Sequence, residues 1–174
     1  MEEQKRTDNP NLMSRKMMER ANTTSGSGAP LASEIFTKIN NAKDKPKKIA
    51  ILRENDSPGM RMLLKAAFDP KIKFDMPEGH PPYVANEAPA GTDHTSLIQQ
   101  SKKLYLFIKG GSTIPKLKKE TLFIQMLEGL HKDDAEALLV VKDKTLNRSY
   151  KGLTDSMVKE AFDWNDDFFK NTKK

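Results

Sequence analysis

Apolar residues recur at helical spacing through most of this chain, and polar connections divide the pattern into about six or seven short helices. Leu31, Ile35, Phe36 and Ile39 predict a first amphipathic helix, capped by Ser33 or begun just before it and ending near Asn40 and Asn41. Asp44 is the expected N-cap of a second, with Ile49, Ala50 and Leu52 inward. Ser57 and Pro58 supply an N-cap and a first-turn proline for a third, whose apolar face holds Met60, Leu63, Ala66, Ala67 and Phe68.

Thr92 or Asp93 is expected to start the next helix, which packs Leu97, Ile98, Leu104, Tyr105, Phe107 and Ile108 and stops at Gly110 and Gly111. The chain restarts at Ser112 or Thr113 with Pro115 and carries Leu122, Phe123, Met126, Leu127 and Leu130 inward. Beyond Gly129, Asp133 and Glu136 have capping-box spacing for a helix holding Ala135, Leu138, Leu139 and Val141, so a helical hairpin is expected. Thr154 caps the last helix, with Met157, Val158, Ala161 and Phe162 inward and Trp164 closing the core. The fold class that follows is all-α, one helical domain over residues 31–169.

Two stretches fall outside that pattern. Residues 1–30 read as a flexible N-terminal arm, either a disordered tail or a short helix with Leu12, Met13, Met17 and Met18 on or near one side that docks on a partner or a second subunit, and NTTSGSGAP is a linker by composition. Residues 69–93 hold five prolines, which excludes a helix interior, yet Ile72, Phe74, Met76, Tyr83 and Val84 give the segment side chains to pack. We therefore expect a long proline-rich loop laid over the helices, and a basic tail at 170–174.

Composition changes this picture modestly. The 174 residues carry 30 Lys and Arg against 24 Asp and Glu, a net charge of +6 that suits an anionic partner without demanding one. With no cysteine, the chain has no disulfide, thiol nucleophile or thiolate metal site. The first twenty residues lack the apolar run of a signal peptide, and no window approaches a membrane span of about 20 apolar residues.

The strongest charge feature is Lys102, Lys103, Lys109, Lys116, Lys118 and Lys119, with no acid among them, around the turn at Gly110 to Thr113. A helix starting after that turn presents backbone N–H groups to a phosphate, with lysines to neutralise it. The competing reading is a solvated face. It is not a P-loop, because the glycine spacing and the Lys-Ser/Thr pair are missing. Tyr105 and Phe107 are expected on or near the apolar face, which leaves no ring for base stacking.

His80, His94 and His131 stand apart from carboxylates at metal-site spacing, and Asp133, Asp134 and Glu136 read as helix-start acids before they read as metal ligands. No serine occupies a nucleophile elbow. These patterns favour no enzyme, cofactor or metal. The terminal WNDDFF offers Trp164, Phe168 and Phe169 to a partner groove, against the simpler alternative that the rings pack on the chain's own core.

The runs EIFTKINNAKDKPKKIAILREN, AAFDPKIKFDMPEGHPPY, NEAPAGTDHT, FIQMLEGLHKDDAEALLVVKDK and YKGLTDSMVKEAF resemble a family of small proteins of unknown function from T4-like tailed phages, notably marine ones. The resemblance spans roughly Ser33 to Trp164. It implies a phage protein in the host cytoplasm or the virion, and brings no chemistry or functional residues with it. The expected function is a non-enzymatic interaction protein, virion-associated or an assembly component, with phage structural or replication proteins as partners. The alternatives are a nucleic-acid-binding accessory factor in replication or transcription and an inhibitor of a host enzyme or defence protein.

Overall fold

A computed structural model of the chain describes residues 30–89 and 95–170. Among the described residues are eight α-helices: α1 (Ala32–Asn41), α2 (Lys45–Glu54), α3 (Pro58–Phe68), α4 (Leu97–Gln100), α5 (Lys116–Gly129), α6 (Lys132–Lys142), α7 (Leu146–Ser149) and α8 (Asp155–Phe162). A 3₁₀ segment, Ser101–Phe107, continues directly from α4. The described residues hold no named strand, so the chain is mostly helical and of the all-α class. No helix among them is long and apolar enough to cross a membrane.

The central element is α6. Ala135, Ala137, Leu138, Leu139 and Val141 are buried around nearly its whole circumference, as expected of a helix enclosed by others. Against it lie α1, α3, α4, α5 and α7, while α2 packs between α1 and α8. Gly59, in the first turn of α3, is required by this packing: a Cβ there would meet the Ile98 carbonyl oxygen at 2.3 Å.

Three helix starts follow local side-chain chemistry. Asp44, Ser57 and Thr154 accept from the N–H groups of Lys47, Met60 and Met157, at 3.0, 3.1 and 3.3 Å. Other starts differ from expectation. The N-cap of α1 is Leu31, whose N–H donates to Glu34 Oε1 at 2.8 Å. Ser96, three residues or more beyond the expected Thr92 or Asp93, caps α4 by accepting from Gln99 N. Pro115 precedes α5 and offers no side-chain acceptor. His131 caps α6, its Nδ1 accepting from Asp133 N at 3.0 Å, so Asp133 and Glu136 form no capping box.

The acid that matters in α6 is Asp134, fully buried. Its Oδ1 accepts from Ser33 N at 3.0 Å and its Oδ2 from Leu97 N at 3.4 Å, so one carboxylate ties the starts of α1 and α4 to the start of α6. Burial pushes its pKa above the usual carboxylate range, and the two backbone donors pull against that shift.

Part of the basic excess is spent at helix ends. Lys48 Nζ donates to the Ile39 and Ala42 carbonyls at the end of α1, at 3.0 and 2.6 Å. Arg53 donates to the Ala161 and Glu160 carbonyls that end α8. Lys144 Nζ donates to Ala66 O and Asp69 O, at 2.6 and 2.7 Å, where α3 stops. Each cation meets free carbonyls at the negative end of a helix dipole.

Lys144 gives a pH-dependent signature. Burial lowers its pKa to about 8, whereas the unfolded side chain titrates near about 10.4. Between those values the unfolded chain binds more protons, so the contribution of Lys144 to stability rises with pH across that window. Urea unfolding from about pH 8 to pH 10 should therefore show the wild-type chain gaining stability relative to Lys144→Met. A constant difference between the two would remove the assignment.

The proline-rich stretch up to Pro89 contains no helix, and its polar groups bond to α5, α6 and the 3₁₀ segment. Gly79 N donates to the Asp143 carboxylate, His80 Nε2 lies 3.0 Å from Glu136 Oε1, Tyr83 OH donates to Glu136 Oε2, and Val84 N donates to Glu128 Oε2. Lys142 Nζ, buried, donates to the Pro77 carbonyl and to Asp143. Tyr83 titrates at about 12, raised first by burial and then by the Glu136 charge.

Candidate functional site

In the 3₁₀ segment Ser101, Leu104 and Phe107 are buried, while Lys102, Lys103 and Tyr105 are exposed. That period of three is the turn of a 3₁₀ helix, in which residues i and i+3 eclipse. The expectation that Tyr105 belongs to the apolar face assumed an α-helical period, and it is corrected here: Tyr105 is 52% exposed and Phe107 is 1% exposed. Tyr105 shares the outer ridge of Lys102, one turn earlier.

The chain leaves this segment through an antiparallel bridge between Phe74 and Ile108, where Asp75 N donates to Phe107 O at 2.7 Å and Lys109 N donates to Lys73 O at 2.8 Å. Lys73 and Lys109 are therefore directly opposed, a like-charge pairing that costs stability in an isolated ribbon. Gly110, at φ 81°, then turns the chain toward α5.

Asp75 also joins this corner to α5. Its carboxylate accepts from Lys119 Nζ at 2.8 Å and lies 4.0 Å from Lys116 Nζ. The Lys119 hydrogen bond holds the Asp75 carboxyl below its usual range; burial opposes, and the charges of Lys119, Lys116 and Lys109 add to the lowering. Lys119 is consequently withdrawn from the exposed set: it is 4% exposed and an internal partner of Asp75. Lys116 and Lys118 remain exposed in the first turn of α5, which has no side-chain cap and no acid, so both stand at the positive end of its dipole. Leu117, between them, is 77% exposed.

The exposed lysines of this basic face come from three places: Lys73, tied to Lys109 by the bridge, Lys102 with Lys103 on the 3₁₀ segment, and Lys116 with Lys118 at the start of α5, where the charges of Lys109 and Lys116 both act on Asp75. Lys73 had no part in the sequence pattern, because the Phe74–Ile108 bridge that brings it in is not a local signal.

The C-terminal rings divide. Trp164 and Phe168 are buried, with Trp164 packed against Phe162 at 4.9 Å and Phe168 at 6.0 Å between ring centroids. Phe169 is 59% exposed and carries Lys65 Nζ at 3.8 Å over its ring. Of the three rings proposed for a partner, Phe169 alone is presented outward. Met13, Met17 and Met18 lie outside the described residues, as does His94.

A cleft of about 790 Å³ runs between α1 and α6, lined by Glu34, Lys38, Asp133, Glu136 and Tyr150 among others. Among the described residues no three His, Asp or Glu side chains stand close enough to share a metal ion. His80 and His131 are engaged at Glu136 and at the start of α6 respectively.

A model of a family of unknown function, DUF6433, matches residues 35–148, about two-thirds of the chain. The chain belongs to this family. No curated protein and no solved structure matches it. The DUF6433 span takes in Asp134, Asp75 and every lysine of the basic face, and stops before α8 and the C-terminal rings.

Proposed function

We propose that the protein is a non-enzymatic binding protein whose basic face takes a polyanion, in the role of a nucleic-acid-binding accessory factor. The observation that carries this reading is the set of exposed lysines, Lys102, Lys103, Lys109, Lys116 and Lys118, of which the last two stand at an uncapped helix start, with Lys73 opposed to Lys109 across a bridge. Asp75 offsets part of this charge beside Lys116 and Lys119, and the like charges that it leaves uncompensated are relieved by phosphates. The resemblance to proteins of T4-like phages supports an infected cell as the setting, and replication or transcription is the role we propose there.

The test is a salt titration with labelled DNA and RNA. Affinity should fall linearly in log-log coordinates, with a slope set by the number of phosphates neutralised, roughly 0.7 to 0.9 per contact. Changing Lys102 and Lys116 together to Glu should weaken binding at least about tenfold and flatten that slope by about two contacts. Binding indifferent to salt and to both substitutions would refute the reading.

A second reading, a virion-associated or assembly component, draws on Phe169, exposed beside a shallow groove formed by Arg61, Met62, Lys65 and Trp164. Quantitative mass spectrometry of purified particles tests it, and absence at stoichiometric level would end it.

A further inference from the structure

We infer that the basic face takes single-stranded nucleic acid, with phosphates lying along the lysines and one base stacking on the exposed ring of Tyr105. This inference rests on the polyanion reading above and narrows it to a class of strand.

Lysines alone do not distinguish duplex from single strand, because both offer phosphates and neither contact reads a base. The distinction comes from the aromatic ring. Among the described residues four large apolar side chains are strongly exposed: Val84, Tyr105, Leu117 and Phe169. Two of them, Tyr105 and Leu117, interrupt the lysines, at positions with Lys102 and Lys103 before one and Lys116 and Lys118 on either side of the other. Phe169 has a cation of its own chain on its face. Tyr105, among the described residues, has neither a ring partner nor a cation over it.

Its position is also rigidly set. The buried neighbours Leu104 and Phe107 fix the 3₁₀ turn from beneath. The Ile108 N–H donates to the Tyr105 carbonyl at 3.3 Å, and Gly111 passes so close that a Cβ would meet that same oxygen at 2.1 Å. A ring held outward on a fixed backbone loses little freedom on binding. In a duplex the base faces are covered by their neighbours; in a single strand they are free to stack on such a ring while the sugar-phosphate chain follows the cations.

The experiment uses the full chain and four fluorescent probes: a single-stranded oligonucleotide, the same sequence as duplex, an abasic strand of equal length, and polyglutamate of equal charge. Wild-type protein should bind the single strand at least about tenfold more tightly than the duplex. Tyr105→Ala should weaken single-strand binding by roughly five- to 150-fold, the range measured for one stacked base, and leave the abasic strand unaffected. Tyr105→Phe, which keeps the ring, should restore the wild-type value. Equal affinity for duplex and single strand together with a neutral Tyr105→Ala overturns this inference and leaves the polyanion reading standing. Tighter binding of polyglutamate than of the single strand overturns both in favour of an acidic protein partner, and failure to bind any probe at low salt also overturns both.

Discussion

Phe107→Ala should lower the unfolding free energy by roughly 3–5 kcal/mol, the range for removing a fully buried aromatic ring. Phe107 is 1% exposed and meets Phe123 edge-on, with centroids 5.2 Å apart and ring planes at 78°. Such a pair adds about 0.5–1.5 kcal/mol beyond the apolar area it buries. The contact ties the 3₁₀ segment to α5, the two elements that carry most of the basic face. Urea denaturation followed by far-UV circular dichroism measures the loss, and Phe107→Leu should retain a good part of the stability. A loss below about 1 kcal/mol for the alanine variant would mean that the site collapses around the missing ring, and that the segment is not held in the way described.

Asp134→Ala should cost roughly 2–6 kcal/mol, the sum of two buried donors left without acceptors at about 1–3 kcal/mol each. The donors are the N–H groups of Ser33 and Leu97, both in buried residues. For a domain of this size that corresponds to a fall in Tm of several degrees, at about 2–4 °C per kcal/mol. Asp134→Asn keeps one carbonyl oxygen and should fall between, with one of the two bonds rebuilt. Hydrogen exchange adds a local readout: the Ser33 and Leu97 amides should lose protection in both variants, more so in the alanine one. Unchanged protection would show that neither amide depends on the carboxylate.

These predictions differ in how far the sequence alone supports them. Phe107 is already an inward residue by its spacing from Leu104, because i and i+3 fall together in both α and 3₁₀ geometry. Tyr105 is not legible in the same way: at a period of 3.6 it sides with Leu104, and only the tighter period of three turns it outward beside Lys102. The starts of α2, α3 and α8 are legible because Asp44, Ser57 and Thr154 bond to N–H groups three residues on. The start of α6 is not, since a histidine takes the capping position and the adjacent acids serve other ends. Asp134 serves residues far away in the chain, and no local pattern marks it.

The lysines follow the same rule. Five of the six positions read from the sequence are exposed, and the sixth, Lys119, is taken by Asp75 from the proline-rich stretch. Lys48 and Lys144 carry the same charge but direct it to backbone carbonyls at helix ends. Net charge counts all of these alike, whereas geometry separates a face offered to solvent from cations that finish helices.

The carboxylate of Asp134 also has a bearing on the order in which the chain folds. Its two bonds join residues 101 and 37 positions apart, whereas the caps of α2 and α3 each span three residues. Closing a long loop costs conformational entropy before any contact is gained. The short-range caps can thus operate in early, local structure, while the Asp134 junction forms only once the two halves of the chain have met. Removing it should leave the refolding rate nearly unchanged and express itself as faster unfolding.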